Sequence, residues 1–150
     1  MLNVTYQACT ELVEFPFKLY FNEPIQSIKE LTRSHDLPEP FDSSRLWLIV
    51  SSSDSHRAES QPTTFINTTE AAEICSFVEY LRPGGNDLSN LVVICAYGSQ
   101  HRVLYRQFAM KNICVPCHTV DSFMGQESDI VVISLSRTSR TTKGFYETNL

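Results

Sequence analysis

Nowhere in the 150 residues is there a run of about 18 apolar side chains, the minimum for a helix that crosses a bilayer. The longest apolar runs, such as residues 46–50, are strand-sized. Residues 1–15 lack a basic segment followed by an apolar stretch, and Glu11 and Glu14 stand where a secretory leader would be apolar. A phosphate loop of the form G-x-x-x-x-G-K-[ST] is missing; Gly84 and Gly85 are followed by Asn86 and Asp87, so the chain alone has no triphosphate cradle. There is no G-x-S-x-G nucleophile elbow, which removes the case for a hydrolase built on one. Zinc needs four ligands, and Cys114 and Cys117 are joined by neither a second C-x-x-C nor a spaced His pair, so no metal site is expected. His35, His56 and His101 stand alone among polar neighbours and read as surface imidazoles. No internal repeat and no long low-complexity segment occurs, and with 19% charged residues the chain is not of disordered composition.

What is present is the apolar content of one globular domain, 42% hydrophobic with 11% aromatic, and a single domain over residues 1–150 is expected. The net charge of -5 is unevenly spread. Residues 1–96 hold six Lys and Arg against thirteen Asp and Glu, whereas residues 97–150 hold six against four, so a surface for a polyanion is expected on the C-terminal third. Of five cysteines, Cys75, Cys95 and Cys114 fall in apolar runs, where the thiol behaves as a small buried hydrophobe. A reducing compartment, cytoplasmic or nuclear, is expected. The C-x-x-C spacing of Cys114 and Cys117 has a redox dithiol as its rival reading, but such a pair normally opens a helix, and this one leads into a strand and a loop.

Periodicity predicts a helix broken at Pro16 over residues 10–21, then a connecting loop over 32–45 and a buried strand at 46–50. The Ser-rich stretch 51–64, with Pro62, reads as an exposed and mobile excursion. A helix follows with Asn67 as its N-cap and Glu70 three residues on, burying Ala71, Ile74, Cys75, Val78 and Leu81, and stopped by Pro83 and the two glycines after it. Continuous apolar residues at 91–96 predict a strand covered on both faces, followed by a helix at 99–111 and strands at 113–119 and 129–135. Alternating strands and helices of this kind predict an α/β fold, a parallel sheet with helices on both faces. Ligands of such sheets sit at the carboxyl ends of the strands, which points to residues 97–100 and 119–128.

Residues 119–134 read T-V-D-S-F-M-G-Q-E-S-D-I-V-V-I-S. A strand-end loop of hydroxyl side chains followed by glycine has the equipment to hold a phosphate oxygen. Taken singly, each residue is as well explained by an ordinary turn. Over sixteen positions, however, the stretch resembles the T-V-D-x-F-Q-G-x-E-x-D-x-V-I-x-S segment of superfamily-one helicases of the Upf and Sen kind. In the same order upstream, residues 5–16 (T-Y-Q-A-C-T-E-L-V-E-F-P) resemble the family's Q-Y-R-M-x-P-E-I-x-x-F-P, and residues 67–71 with 93–100 resemble its N-x-x-E-A and V-I-x-P-Y-x-x-Q. Gly144 and Phe145 match a further Gly-Phe.

The resemblance implies the second RecA-like domain of such a helicase, the half without the phosphate loop. In that family ATP and Mg2+ lie between two RecA-like domains, and single-stranded RNA or DNA runs across both. It implies that Thr119, Ser122, Tyr97 and Gln100 contact the nucleic acid or the loop holding it, with Tyr97 equally suited to the core. Gly125, Glu127 and Tyr6 are implied at the nucleotide, and Arg137 and Arg140, after the last strand, are candidates for phosphate contact. The chain also departs from the family. Gln7 stands where an arginine is expected, Met124 where a glutamine is, and the sequence ends at Leu150 before the R-x-N-V-A-x-T-R segment is reached. An arginine aimed at the γ-phosphate is worth roughly 10³-fold or more in rate, so no complete catalytic set is expected here, and the isolated chain is expected to be inactive and to bind neither ATP nor metal. The alternative is a non-catalytic remnant that holds nucleic acid or a protein.

Overall fold

The computed structural model describes residues 4–5, 8–21, 25–27, 37–39, 41, 46–50, 56–58, 61–81 and 90–137. Tyr6, Gln7, Pro83, Gly84, Gly85, Arg140, Gly144 and Phe145 lie outside the described residues. The chain divides into two compact units, Met1–Ile49 and Val50–Leu150. No helix among the described residues is long and apolar enough to cross a membrane.

In the first unit, β1 (Val4–Thr5) pairs in parallel with β2 (Gln26–Ser27), and α1 (Thr10–Phe21) stands between them in sequence. Ser27 Oγ donates to the Ala8 carbonyl at 2.8 Å, tying the two ends of this crossover. Pro16 does not break α1 as expected; the helix runs through it, entered by Leu12 and Val13 N–H bonds to the Cys9 carbonyl. Residues 46–50 correct a second expectation, for they form no strand, and Leu48 is 81% exposed. An apolar run states a preference for burial, but a strand also needs a partner to satisfy its backbone, and that partner is not encoded locally.

The second unit opens with an antiparallel hairpin, β3 (His56–Ala58) and β4 (Gln61–Ile66), where an exposed excursion was expected. The register shifts between Arg57 and Ala58, leaving residues 62–64 as the excess on β4. Pro62, which lacks an N–H for a ladder, is tolerated in such an irregularity. Then come α2 (Thr68–Leu81), β5 (Leu91–Cys95), α3 (Gly98–Lys111), β6 (Cys117–Thr119), the one-turn α4 (Val120–Phe123) and β7 (Ile130–Ser134). The sheet order is β6-β5-β7, all parallel. This is the expected α/β alternation, with the richest apolar strand at the centre.

One face of that sheet presents Leu91, Val93 and Cys95, all buried, to α2 and α3. The two helices pack together there, joined by Cys75 to Gln107 and by an ion pair of 2.8 Å between Lys111 and Glu79. The five residues expected on the inner face of α2 are the five it buries. Asn112, in the left-handed region at φ 54°, closes α3 by donating its N–H toward the Ala109 and Phe108 carbonyls. On the opposite face, α4 sets Val120 and Phe123 near Ile94 and Ile133, enclosing with Met124 an open apolar groove of about 290 Å³. Ile133 remains 61% exposed.

Candidate nucleic-acid and nucleotide site

At the carboxyl end of β6 the chain turns directly into α4, and Thr119 is the helix N-cap. Its Oγ1 accepts from the Ser122 N–H at 3.3 Å, while the Ser122 Oγ accepts from the Thr119 N–H at 2.9 Å, a reciprocal capping box. Ser122 Oγ also lies within bonding reach of the Thr119 hydroxyl and carbonyl, and Gln126 Nε2 donates to the Ser122 carbonyl at 2.8 Å. Every one of these bonds is local and exposed. Two hydroxyls are thereby fixed at the carboxyl edge of the sheet, on a segment whose remaining polar capacity faces solvent.

After α4 the backbone turns through Gly125, whose φ of 79° a side chain would strain, although a Cβ there would meet nothing within 4 Å. The next residues do not stay at that edge. Ser128 Oγ donates to the Asn90 carbonyl, and Asn90 Nδ2 donates to Asp129 at 2.8 Å, so this end of the connection is pinned beside the first residue of β5. The expectation that residues 119–128 share one strand-end site is therefore corrected. Thr119 and Ser122 are at the carboxyl edge, whereas Glu127, adjacent to Ser128, is exposed toward the amino edge. The reason is geometric: β7 is parallel to β5 and starts opposite Leu91, so the connection must travel back along the strand, about 13 Å for four steps of ~3.3 Å.

Tyr97 and Gln100 are brought to the carboxyl edge by β5 and α3, but they are buried. Tyr97 is the N-cap of α3 and packs edge-on against Phe65 with centroids 5.3 Å apart. Gln100 is completely buried, its Oε1 accepting from the Asn67 N–H at 2.8 Å and its Nε2 donating to the Asn67 carbonyl at 3.0 Å. Its amide thus clamps the junction between β4 and α2 to the start of α3, which makes it a positioning group rather than a surface contact. The capping arrangement read around Asn67 is half as expected. Asn67 Oδ1 does accept from the Glu70 N–H at 3.0 Å, but the Asn67 N–H is taken by Gln100, not by the Glu70 carboxylate.

That carboxylate turns instead to the end of β7. Glu70 Oε1 accepts from Ser134 Oγ at 2.7 Å and from the Ser136 N–H at 3.3 Å. Ser136 is buried at φ 65°, and the chain leaves through a tight turn in which the Arg137 N–H bonds to the Leu135 carbonyl at 2.8 Å. Arg137 is thereby set with its guanidinium 5.1 Å from the centre of the Phe65 ring, a cation–π stack. Phe65 is not singled out by the sequence, and Glu70 is marked only by its N-cap spacing and by the N-x-x-E-A resemblance; Ser134 and Arg137, which they meet here, lie more than 60 residues away along the chain. Thr119, Ser122, Tyr97, Gln100 and Arg137 thus share the carboxyl edge, while Gly125 and Glu127 lead away from it. Among the described residues no cluster of three His, Cys, Asp or Glu could hold a metal ion.

Compared with known families, residues 1–149 match a model described as an AAA domain. An uncharacterized ATP-dependent helicase of Methanocaldococcus jannaschii is 28% identical over 150 residues, covering 92% of this chain and 22% of that protein. Homologs of regulator of nonsense transcripts 1 from Arabidopsis thaliana and Drosophila melanogaster are 28% and 24% identical, each over 92% of this chain and 12% of theirs. The chain therefore spans about a fifth or less of the length of these relatives.

Proposed function

Because the chain belongs to the AAA-domain family, as a superfamily-one helicase domain of the Upf and Sen type, we propose that it serves as the second RecA-like domain of an ATP-dependent helicase. In this reading the domain grips single-stranded RNA or DNA at the carboxyl edge of its sheet and closes on ATP and Mg2+ held by a first RecA-like domain. The observation that carries it is the Thr119–Ser122 capping box. It holds two hydroxyls and the first turn of a helix at the edge where parallel sheets bind ligands, at the end of a strand paired in parallel with β5. A sugar-phosphate chain offers acceptor oxygens suited to those hydroxyl and amide donors.

Arg137 is the candidate phosphate contact on the same edge, its guanidinium oriented by Phe65. Glu127 and Gly125 lie along the connection to β7, so a nucleotide contact there is made on a different edge from the strand contact. A domain that touches two ligands at opposite ends of its sheet couples them when it moves as a rigid body, the kind of closure a translocating motor needs. The decisive experiment joins this domain to a matching first RecA-like domain and measures ATP hydrolysis with and without single-stranded nucleic acid. Stimulated hydrolysis, lost when Thr119→Ala and Ser122→Ala are combined, is the expected outcome. Absence of any hydrolysis by the joined protein would refute the motor reading.

Gln7 favours one second reading, a domain that binds nucleic acid without turnover. It places a neutral amide where the resemblance puts an arginine. That version keeps salt-sensitive binding of single strands and loses the ATPase, and Gln7→Arg in the joined protein separates the two by restoring hydrolysis or failing to.

A further inference from the structure

The C-x-x-C pair of Cys114 and Cys117 is not the closest pairing that the fold offers. Cys114 is exposed on the loop before β6. Cys117, the first residue of β6, turns its sulfur to Cys95 on the neighbouring strand, with the two Sγ atoms 3.8 Å apart. The register makes this contact diagonal. Cys117 is opposite Val93, and Cys95 is opposite Thr119, so both thiols point to the same face, two residues out of step. Cys95 is fully buried and Cys117 is half-buried, which makes Cys117 the less enclosed residue of the pair.

The two sulfurs also differ in acidity in the useful sense. The hydrogen bond from Cys95 favours the Cys117 thiolate and lowers its pKa against the opposing effect of burial. The same hydrogen bond, followed by burial, raises that of Cys95. Cys75, whose sulfur bonds to Gln107, is raised by burial and lacks this activation. A half-buried cysteine whose thiolate is favoured by a neighbouring, fully buried thiol is the arrangement of an attacking and a resolving cysteine.

We propose that Cys95 and Cys117 form a reversible disulfide when the protein meets a hydroperoxide, and that closing it displaces β6 and the Thr119–Ser122 turn. The Cys117 thiolate attacks the peroxide oxygen, breaking the O–O bond to give a sulfenic acid and an alcohol or water. Cys95 then displaces hydroxide from that sulfur, which leaves as water with the Cys95 proton. Two thiols are oxidised and one peroxide is reduced.

The displacement follows from the register. Strands ~4.8 Å apart and two residues of ~3.3 Å out of step put the two Cα atoms about 8 Å apart. A disulfide holds them within about 6.8 Å. Closing the bond therefore advances β6 toward the carboxyl edge by roughly 2 Å, since the lateral spacing is held by the ladder. β6 is short and stands at the end of the described sheet, so what resists is its three-residue ladder to β5 and its packing on α3 and α4. Among the bonds stretched are the His101 Nε2 contact with the Cys117 carbonyl at 3.0 Å and the Val93 N–H bond to the Pro116 carbonyl at 2.9 Å. Thr119, two residues on, moves with the strand.

The inference stands apart from the helicase reading, and its test uses no nucleic acid. The chain is treated with hydrogen peroxide, digested under acid, and mapped by mass spectrometry, while amide exchange is followed over residues 117–124. The expected result is a linked Cys95–Cys117 peptide, reversed by dithiothreitol, still formed by Cys114→Ser and abolished by Cys117→Ser, with faster exchange in that segment on oxidation. Cys117→Ser alters a half-buried site and keeps the comparison open if a Cys95 variant does not fold. A dominant Cys114–Cys117 link, or Cys117 carried on to a sulfinic acid while Cys95 stays a thiol, would overturn the proposal. Crosslinking with unchanged exchange would overturn the displacement.

Discussion

On the α2–α3 side of the carboxyl edge, the polar groups are shielded and join segments far apart in sequence. Gln100 meets Asn67 across 33 residues, and Ser134 meets Glu70 across 64. On the β6–α4 side, Thr119 and Ser122 satisfy one another across three residues and are open to solvent. The first arrangement is expensive to disturb, because a partner left behind keeps its burial and loses its bond. The second holds a shape but lets its donors and acceptors exchange to a ligand at little cost. Side by side, they separate the scaffold of this edge from the surface proposed to make contact.

The sharpest way to break that division is to empty the core beneath the scaffold. Leu104→Ala, at a side chain with no exposure, is expected to cost about 2–5 kcal/mol, read as a lower urea midpoint at unchanged slope. Met124→Ala, on the contact side and 77% exposed, is expected to stay within about 0.5 kcal/mol. Equal losses at the two positions would erase the distinction. Comparable in size is Gln100→Leu, which strands the Asn67 N–H and carbonyl, at about 1–3 kcal/mol for each group. A neutral result in the same unfolding experiment would mean that water reaches this clamp.

Glu70→Gln keeps the shape but removes the charge that receives Ser134 and the Ser136 N–H, and about 1 kcal/mol of stability should go with it. Faster amide exchange at residues 134–137 is expected alongside, since that carboxylate holds the turn leading to Arg137. Smallest on stability is Ser122→Ala, at no more than about 1 kcal/mol for half a capping box on a one-turn helix. Its effect on single-strand affinity should nevertheless be several-fold at low salt, and falling affinity without falling stability is the signature of a contact residue. Were Ser122→Ala to leave binding untouched while Gln100→Leu, still folded, abolished it, the two sides would exchange roles.

Much of this architecture could be read before folding. The N-cap at Asn67, the five inner residues of α2, the apolar strand β5, the helix after it and the loop at Thr119 all announce themselves within a dozen residues. The errors have a common cause. Apolarity makes residues 46–50 read as a strand, and serines with a proline make residues 51–64 read as an excursion, yet the first has no ladder and the second holds β3 and the start of β4. In both cases the outcome rests on a partner strand. The same is true of the candidate site. Its hydroxyls at the turn were legible, but not that Gln100 would be consumed by Asn67, that Glu70 would cap the exit from β7, or that Glu127 would leave the edge that Thr119 occupies.

Local periodicity and capping chemistry were enough to decide the helices α2 and α3, the apolar strands β5 and β7 and the inward face of α2, because those choices are settled between near neighbours in the chain. The tertiary structure alone decided which thiol faces Cys117, which polar group each buried amide meets, and to which end of the sheet the connection to β7 returns. Those outcomes depend on register between segments brought together by closing long loops, where a displacement of two residues changes every partner while leaving each segment's own pattern intact.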